Sequence, residues 1–166
     1  YDRAGRERGK ARGFTGNDAV GWDAPGAIEV GRSGDFFALD QHAGRVVRVN
    51  PSGRIVRSYP LRAEGEKEAG RLWSHGFSVC EAAERFYFIV GGELLCRGFD
   101  GALRWKFPAK VTGNPWDGYS GGFDVDEAGR LYLNDGADAW VRLFDAEGRP
   151  AGEVTLAMGG RAASPQ

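Results

Sequence analysis

The segment Gly122–Leu156, GFDVDEAGRLYLNDGADAWVRLFDAEGRPAGEVTL, reads as four short strands joined by three tight turns. Phe123–Val125 opens it, Glu127-Ala128-Gly129 turns the chain, and Leu131-Tyr132-Leu133 runs back. Asn134-Asp135-Gly136 turns it again, Trp140–Phe144 follows, and Ala146-Glu147-Gly148 leads into a last strand near Val154–Leu156. Short apolar runs broken at close intervals by Gly and Asp favour β-hairpins over helices.

The same unit occurs upstream. The turn glycine before the fourth strand stands at Gly5, Gly53, Gly101 and Gly148, at intervals of 48, 48 and 47 residues. Fixed periods of this size mark solenoids, propellers or arrays, and a unit built of strands fits a propeller blade. Arg54–Pro60 (RIVRSYP) aligns with Ala102–Pro108 (ALRWKFP), which places Tyr59 and Phe107 at equivalent points of successive outermost strands. A proline suits the end of such an edge strand, where no ladder N–H is needed. Gly53 and Gly148 are expected at positive φ, a region that glycine enters freely. The expected fold is therefore all-β: three four-stranded propeller blades plus a partial leading unit. Residues 1–10 read as the end of a preceding blade, 11–61, 62–107 and 108–156 as blades with their connectors, and 157–166 as a tail of disordered composition.

The run from Pro25 through Asp40 and Arg45 to Asn50-Pro51-Ser52-Gly53 resembles an NHL-type propeller repeat. That family has Pro before strand one, Asp after strand two, Arg opening strand three, and Asp-x-x-Gly before strand four. The third unit keeps Asp126, Gly129, Asp135 and Asp145 through Gly148, with Trp140 where the Arg would stand. The middle unit departs furthest: Ile89-Val90-Gly91-Gly92 replaces the Asp turn, and Phe99–Phe107 is closer to quinoprotein-like propeller repeats. The resemblance implies the fold and is nearly silent on function.

The 166 residues suffice for one ordinary domain with a sizeable core. With 22 basic and 23 acidic residues, the balance implies no nucleic-acid partner. Arginine supplies 18 of the 22 cations, and the 27 glycines follow no collagen period, as suits a turn-rich β protein. No apolar run is long enough to span a membrane. Cys80 and Cys96 fall on the first and third strands of the middle unit, roughly 10 Å apart in a blade, too far for a disulfide. The chain opens on Tyr1, inside a repeat, and three blades do not close a ring. Open ends would leave two apolar sheet faces in water. Further blades are thus expected, from the same parent chain or from another subunit such as a second copy, with the mid-blade start favouring a fragment. An extracellular or periplasmic setting is weakly favoured.

Candidate chemistry is sparse. Gly118-Tyr119-Ser120-Gly121-Gly122 spells G-x-S-x-G, but a strand follows where a nucleophile elbow needs a helix, and no His lies downstream. Glu29, Ser78 and Asp124 occupy one place in the three first strands, each just before a Val. First strands line a propeller's channel, so Glu29 and Asp124 are candidate oxygen ligands for a divalent cation, the single cofactor considered. Gluconolactonase-like propellers hold a metal in that channel, and this supplies the enzyme alternative. Asp124-Val125-Asp126-Glu127 departs from a calcium loop at its third ligand position, so hairpin-turn acids are the simpler reading. Only two histidines exist, His42 and His75, in different units, where a resemblance to amidating lyases would need three.

The connectors carry one Trp each: Trp22, Trp73 and Trp116. With Asp23, His75, Asp117 and Tyr119 beside them, they compose a candidate recognition rim, because a repeated topology sends every connector to one side. Trp105 and Trp140 lie in strands, in inter-blade core or on a sheet surface, and are expected to be costly to remove. The sequence thus points to a non-catalytic module that recognises or assembles with protein through its loop face or blade edges.

Overall fold

The computed structural model describes residues 27–40, 43–61, 74–90, 92–108, 122–134 and 140–155, with the backbone alone at 74 and 75. Alternating apolar residues between tight turns make twelve strands among the described residues. Blade 1 holds β1 (Ile28–Val30), β2 (Phe36–Asp40), β3 (Arg45–Val49) and β4 (Ile55–Pro60). Blade 2 holds β5 (Ser74–Cys80), β6 (Arg85–Val90), β7 (Glu93–Gly98) and β8 (Leu103–Pro108). Blade 3 holds β9 (Phe123–Val125), β10 (Leu131–Asn134), β11 (Trp140–Phe144) and β12 (Pro150–Thr155). Each is a four-stranded antiparallel meander, β5 lies between β1 and β9, and no helix occurs among the described residues. The last strand starts at Pro150, ahead of the Val154–Leu156 core of the sequence reading.

The turns explain the period. Asn50, Gly98 and Asp145 each accept from the amide three residues on, that of Gly53, Gly101 and Gly148, whose φ values are 81°, 82° and 77°. Positive φ at Gly53 and Gly148 agrees with the sequence expectation. In the sequence DEAGR (126–130) and again in DAEGR (145–149), one aspartate oxygen accepts two turn amides and the other meets the arginine Nε at 2.7 Å. Asp126 also accepts from the Tyr132 hydroxyl at 3.3 Å, so both its oxygens have partners within the hairpin. Hydrogen bonding holds both carboxyls below the usual range. At Asp126 it prevails over burial, the largest single influence there; at Asp145 the Arg149 amide is the leading cause. Asp40, buried at the end of β2, accepts from the Ala43 amide at 3.0 Å and from Arg45 Nε at 3.1 Å, which ties the second strand to the third.

One first turn breaks the glycine rule. Gly34 and Gly129 hold positive φ in the turns of blades 1 and 3, whereas the blade 2 turn is one residue longer and places Glu84 at φ 51°. Glu84 is exposed, so its side chain gains little to offset that strain. Glu84→Gly should stabilise the chain by about 0.5–1 kcal/mol, read as a rise in urea midpoint at constant slope.

Packing follows from the two-residue alternation. The face of blade 1 carrying Phe37, Leu39, Val46 and Tyr59 meets the face of blade 2 carrying Phe77, Phe86 and Phe88. The opposite face of blade 2, with Tyr87, Ile89, Leu94, Cys96 and Trp105, meets Phe123, Val125, Leu131, Leu133 and Phe144 of blade 3. Tyr59 pairs with Val46 and Phe107 with Leu94, the second residue of the third strand in each blade, so the two rings are equivalent. Cys80 and Cys96 are buried free thiols, and burial raises Cys96 to about 11. Trp140, expected to be costly to remove, is 42% exposed, although its register with Arg142 and Phe144 puts it on the face of blade 3 that turns toward blade 2. Its truncation should therefore cost far less than that of Trp105.

Candidate functional site

The register aligns the first strands exactly as their sequences align. Val30 pairs with Phe36, Val79 with Phe86 and Val125 with Leu131, so Glu29, Ser78 and Asp124 occupy one structural place. Ser78 is buried, and its hydroxyl lies 3.4 Å from Asp124 Oδ1. The same Asp124 oxygen accepts the Val125 amide at 2.7 Å. Glu29 is half-buried, and its carboxyl is pushed above the usual range, by desolvation first and by the charge of Asp124 second. The two carboxylates therefore sense each other across the channel side of the blades. Among the described residues, no group of three or more His, Cys, Asp or Glu side chains is placed to hold a metal ion.

A raised carboxylate pKa means that the folded chain prefers the protonated form. Stability from Glu29 is therefore full below the ordinary carboxylate value and is lost as pH rises through the raised one. Asp124→Asn should lower the Glu29 pKa in an NMR titration yet leave it elevated, because desolvation is the larger cause. A Glu29 titration unchanged by Asp124→Asn would show that the two carboxylates are not coupled.

Two residues beyond each aligned Val lies a second ring, which the sequence reading missed. Arg32, Glu81 and Glu127 stand there, on the three first turns. The Arg32 amide donates to Glu81 Oε2 at 2.8 Å, and the Arg32 guanidinium pairs with Glu127 of blade 3. Arg48 adds a contact to Glu81 at 3.5 Å and holds Asp35 at 2.6 Å. These turns enclose a cleft of about 90 Å³ lined by Val30, Gly31, Cys80, Ala82, Val125 and Asp126 besides the charged three. The signal was available at the 48-residue period, since a basic residue in one unit answers acidic residues at the same place in the next two. The ring pins three blades together at one end of the channel, and its polar groups already serve one another.

Of the candidate recognition rim, Trp22, Asp23, Trp73, Trp116, Asp117 and Tyr119 lie outside the described residues, as does Ser120. His75 lies on β5, with its backbone alone described, and His42 lies outside.

No protein-family model matches the chain, and no curated protein does. Solved structures do. Hsv2 from Kluyvelomyces marxianus is similar at 9% identity and a TM-score of 0.53, over 79% of this chain and 49% of that one. A gluconolactonase from Xanthomonas campestris is similar at 20% identity and a TM-score of 0.49, over 84% and 50%. Virginiamycin B lyase from Staphylococcus aureus is similar at 14% identity and a TM-score of 0.48, over 82% and 42%. The chain thus spans half or less of the length of each. These neighbours are β-propeller proteins, enzymes among them, and at such identity they establish the fold alone. No helix among the described residues is long and apolar enough to cross a membrane. The three sheets are blades of a partial β-propeller.

Proposed function

We propose that this chain is a non-catalytic assembly module of NHL-like blades, which joins protein through the sheet faces at the two ends of its blade array. The observation that carries the reading is exposure where the repeat puts core residues. Val30 is 70% exposed and Val154 49%, whereas Tyr59, at the place equivalent to Val154, is 1% exposed beneath the neighbouring blade. Such faces are what a further propeller blade covers. The test is the face itself. At dilutions where single copies prevail, the chain should bind a hydrophobic dye, and Val30→Glu and Val154→Glu should each remove part of the signal. No dye binding by single copies, or binding untouched by both changes, would sink the reading.

A second reading, a gluconolactonase-like hydrolase with a divalent metal in the channel, is favoured by the coupling of Glu29 to Asp124. Under it, millimolar Ca²⁺ or Mg²⁺ should raise the melting temperature, and Asp124→Asn should abolish the rise. Under the assembly reading neither ion has a specific effect at this place.

A further inference from the structure

We propose that the Arg32–Glu127 ion pair is a strap across the cleft at the turn end of the first strands, closed at low ionic strength and opened by salt. It belongs to the ring of first turns and is independent of what meets the end faces.

The strap has a fixed foot. The Arg32 amide donates to Glu81 Oε2 at 2.8 Å, and Arg48 meets the other oxygen of that carboxylate at 3.5 Å. The Glu81 and Arg48 side chains are only 22% and 28% exposed, so salt screens this contact little. Gly31 makes the seat possible, since an added Cβ would lie 2.7 Å from Glu81 Oε2. Blade 2 has Cys80 at the place of Gly31 and blade 3 has Asp126, so among the described blades the seat exists in blade 1 alone.

The tip is different. The Arg32 side chain reaches across to Glu127 of blade 3, and the two side chains are 65% and 71% exposed. An exposed pair between long side chains gains little in water and loses most of that gain in salt. The neighbouring carboxylate does not compete for the guanidinium, because Asp126 already accepts from two turn amides, from Arg130 and from the Tyr132 hydroxyl. One residue therefore combines a held backbone with a releasable side chain.

What the pair crosses is a hollow. Arg32 and Glu127 line the cleft of about 90 Å³ together with the three aligned valines, Val30, Val79 and Val125, and with Cys80. The Cys80 thiol donates to the carbonyl of Glu127 at 3.6 Å, so the sulfur lies against the residue that the strap grips. Cys80 is 3% exposed with the strap closed. Release of Glu127 opens a way from solvent to the valines and to that sulfur. Cys96 lies on the third strand, fully buried and paired with Trp105, and does not line the cleft.

Alkylation by iodoacetamide, mapped by mass spectrometry, reads the strap in the 166-residue chain, with Cys96 as the internal reference. Between about 10 mM and about 1 M NaCl the Debye length falls from about 30 Å to about 3 Å. Over that range the rate at Cys80 relative to Cys96 should rise about threefold to fivefold, the scale that an exposed pair sets. Arg32→Gln and Glu127→Gln should each give the fast ratio already at low salt and remove its salt dependence. Arg32→Lys keeps the charge and should keep both the slow ratio and its response to salt. Both side chains are exposed, so the variants should retain the wild-type circular dichroism. A ratio indifferent to salt overturns the proposal, as does a salt response that survives in both glutamine variants. A rise of the two thiols together also overturns it, since that marks loosening of the whole junction between blades 2 and 3.

Discussion

Phe86→Ala is expected to cost about 3–5 kcal/mol of folding stability, the most of any single truncation here. The ring is fully buried on β6 and makes four ring contacts. Its centroid lies 4.5 Å from Phe99, 5.3 Å from Tyr59, 6.0 Å from Phe77 and 6.2 Å from Phe37. Tyr59 and Phe37 belong to blade 1, so deletion opens a cavity that two blades share. Neither blade can collapse into it without breaking register with its own sheet, which is why the loss should fall at the high end. Cation contacts stiffen the same site: the Arg57 guanidinium lies 4.8 Å over the Tyr59 ring and that of Arg48 lies 5.5 Å over Phe37. Denaturant titration measures the effect. The control is Ile28→Ala on an exposed end face, which should change the single chain by well under about 1 kcal/mol. Equal losses at the two sites would mean that the blade junction is not the core of the fold.

Much of this architecture was legible in the sequence because the blade is a local object. Its strands are joined by short turns, so period, turn glycines and alternation are written within each 48-residue unit. Tyr59 and Phe107 fell at equivalent places for that reason, and so did Glu29, Ser78 and Asp124. Contacts between blades were harder to read. Alternation assigns a residue to one of two sheet faces but does not say how far a neighbouring blade covers it, and so Trp140, on the same face as Phe144, was expected at a costly position and is 42% exposed. Arg32 reaching Glu127 spans almost two periods and became visible only when the three first turns came together. Gly76 is a further case: an added Cβ would come within 2.7 Å of the Phe123 ring, so glycine there serves the next blade and not its own strand. As for function, the connector tryptophans that suggested recognition lie outside the described residues, and the exposed apolar groups among the described ones, Ile28, Val30 and Val154, lie on the end faces.

Gly148→Ala should cost about 3 kcal/mol, and its size should depend on Trp105. Two effects combine. The φ of 77° is left-handed, which costs a residue with a Cβ roughly 1–2 kcal/mol. The new Cβ would also lie 2.7 Å from Trp105 Cδ2 and 3.0 Å from Cε2, so the indole must move. Moving it loosens the Nε1 hydrogen bond to the Ala146 carbonyl, which also accepts from Arg85, and disturbs stacking on Phe107 at 5.5 Å. Gly44→Ala isolates the first effect, since its φ is 60° and an added Cβ meets nothing within 4 Å; it should cost only about 1 kcal/mol. Trp105→Ala should cost about 3 kcal/mol, the low end for a large ring, because the indole is only half-buried. The double variant separates packing from backbone strain. Without the indole the new methyl has room, so Gly148→Ala added to Trp105→Ala should cost little more than Gly44→Ala does. The cycle should therefore show a coupling of about 1–2 kcal/mol. Strict additivity would mean that the turn of blade 3 and the outer strand of blade 2 do not touch in solution.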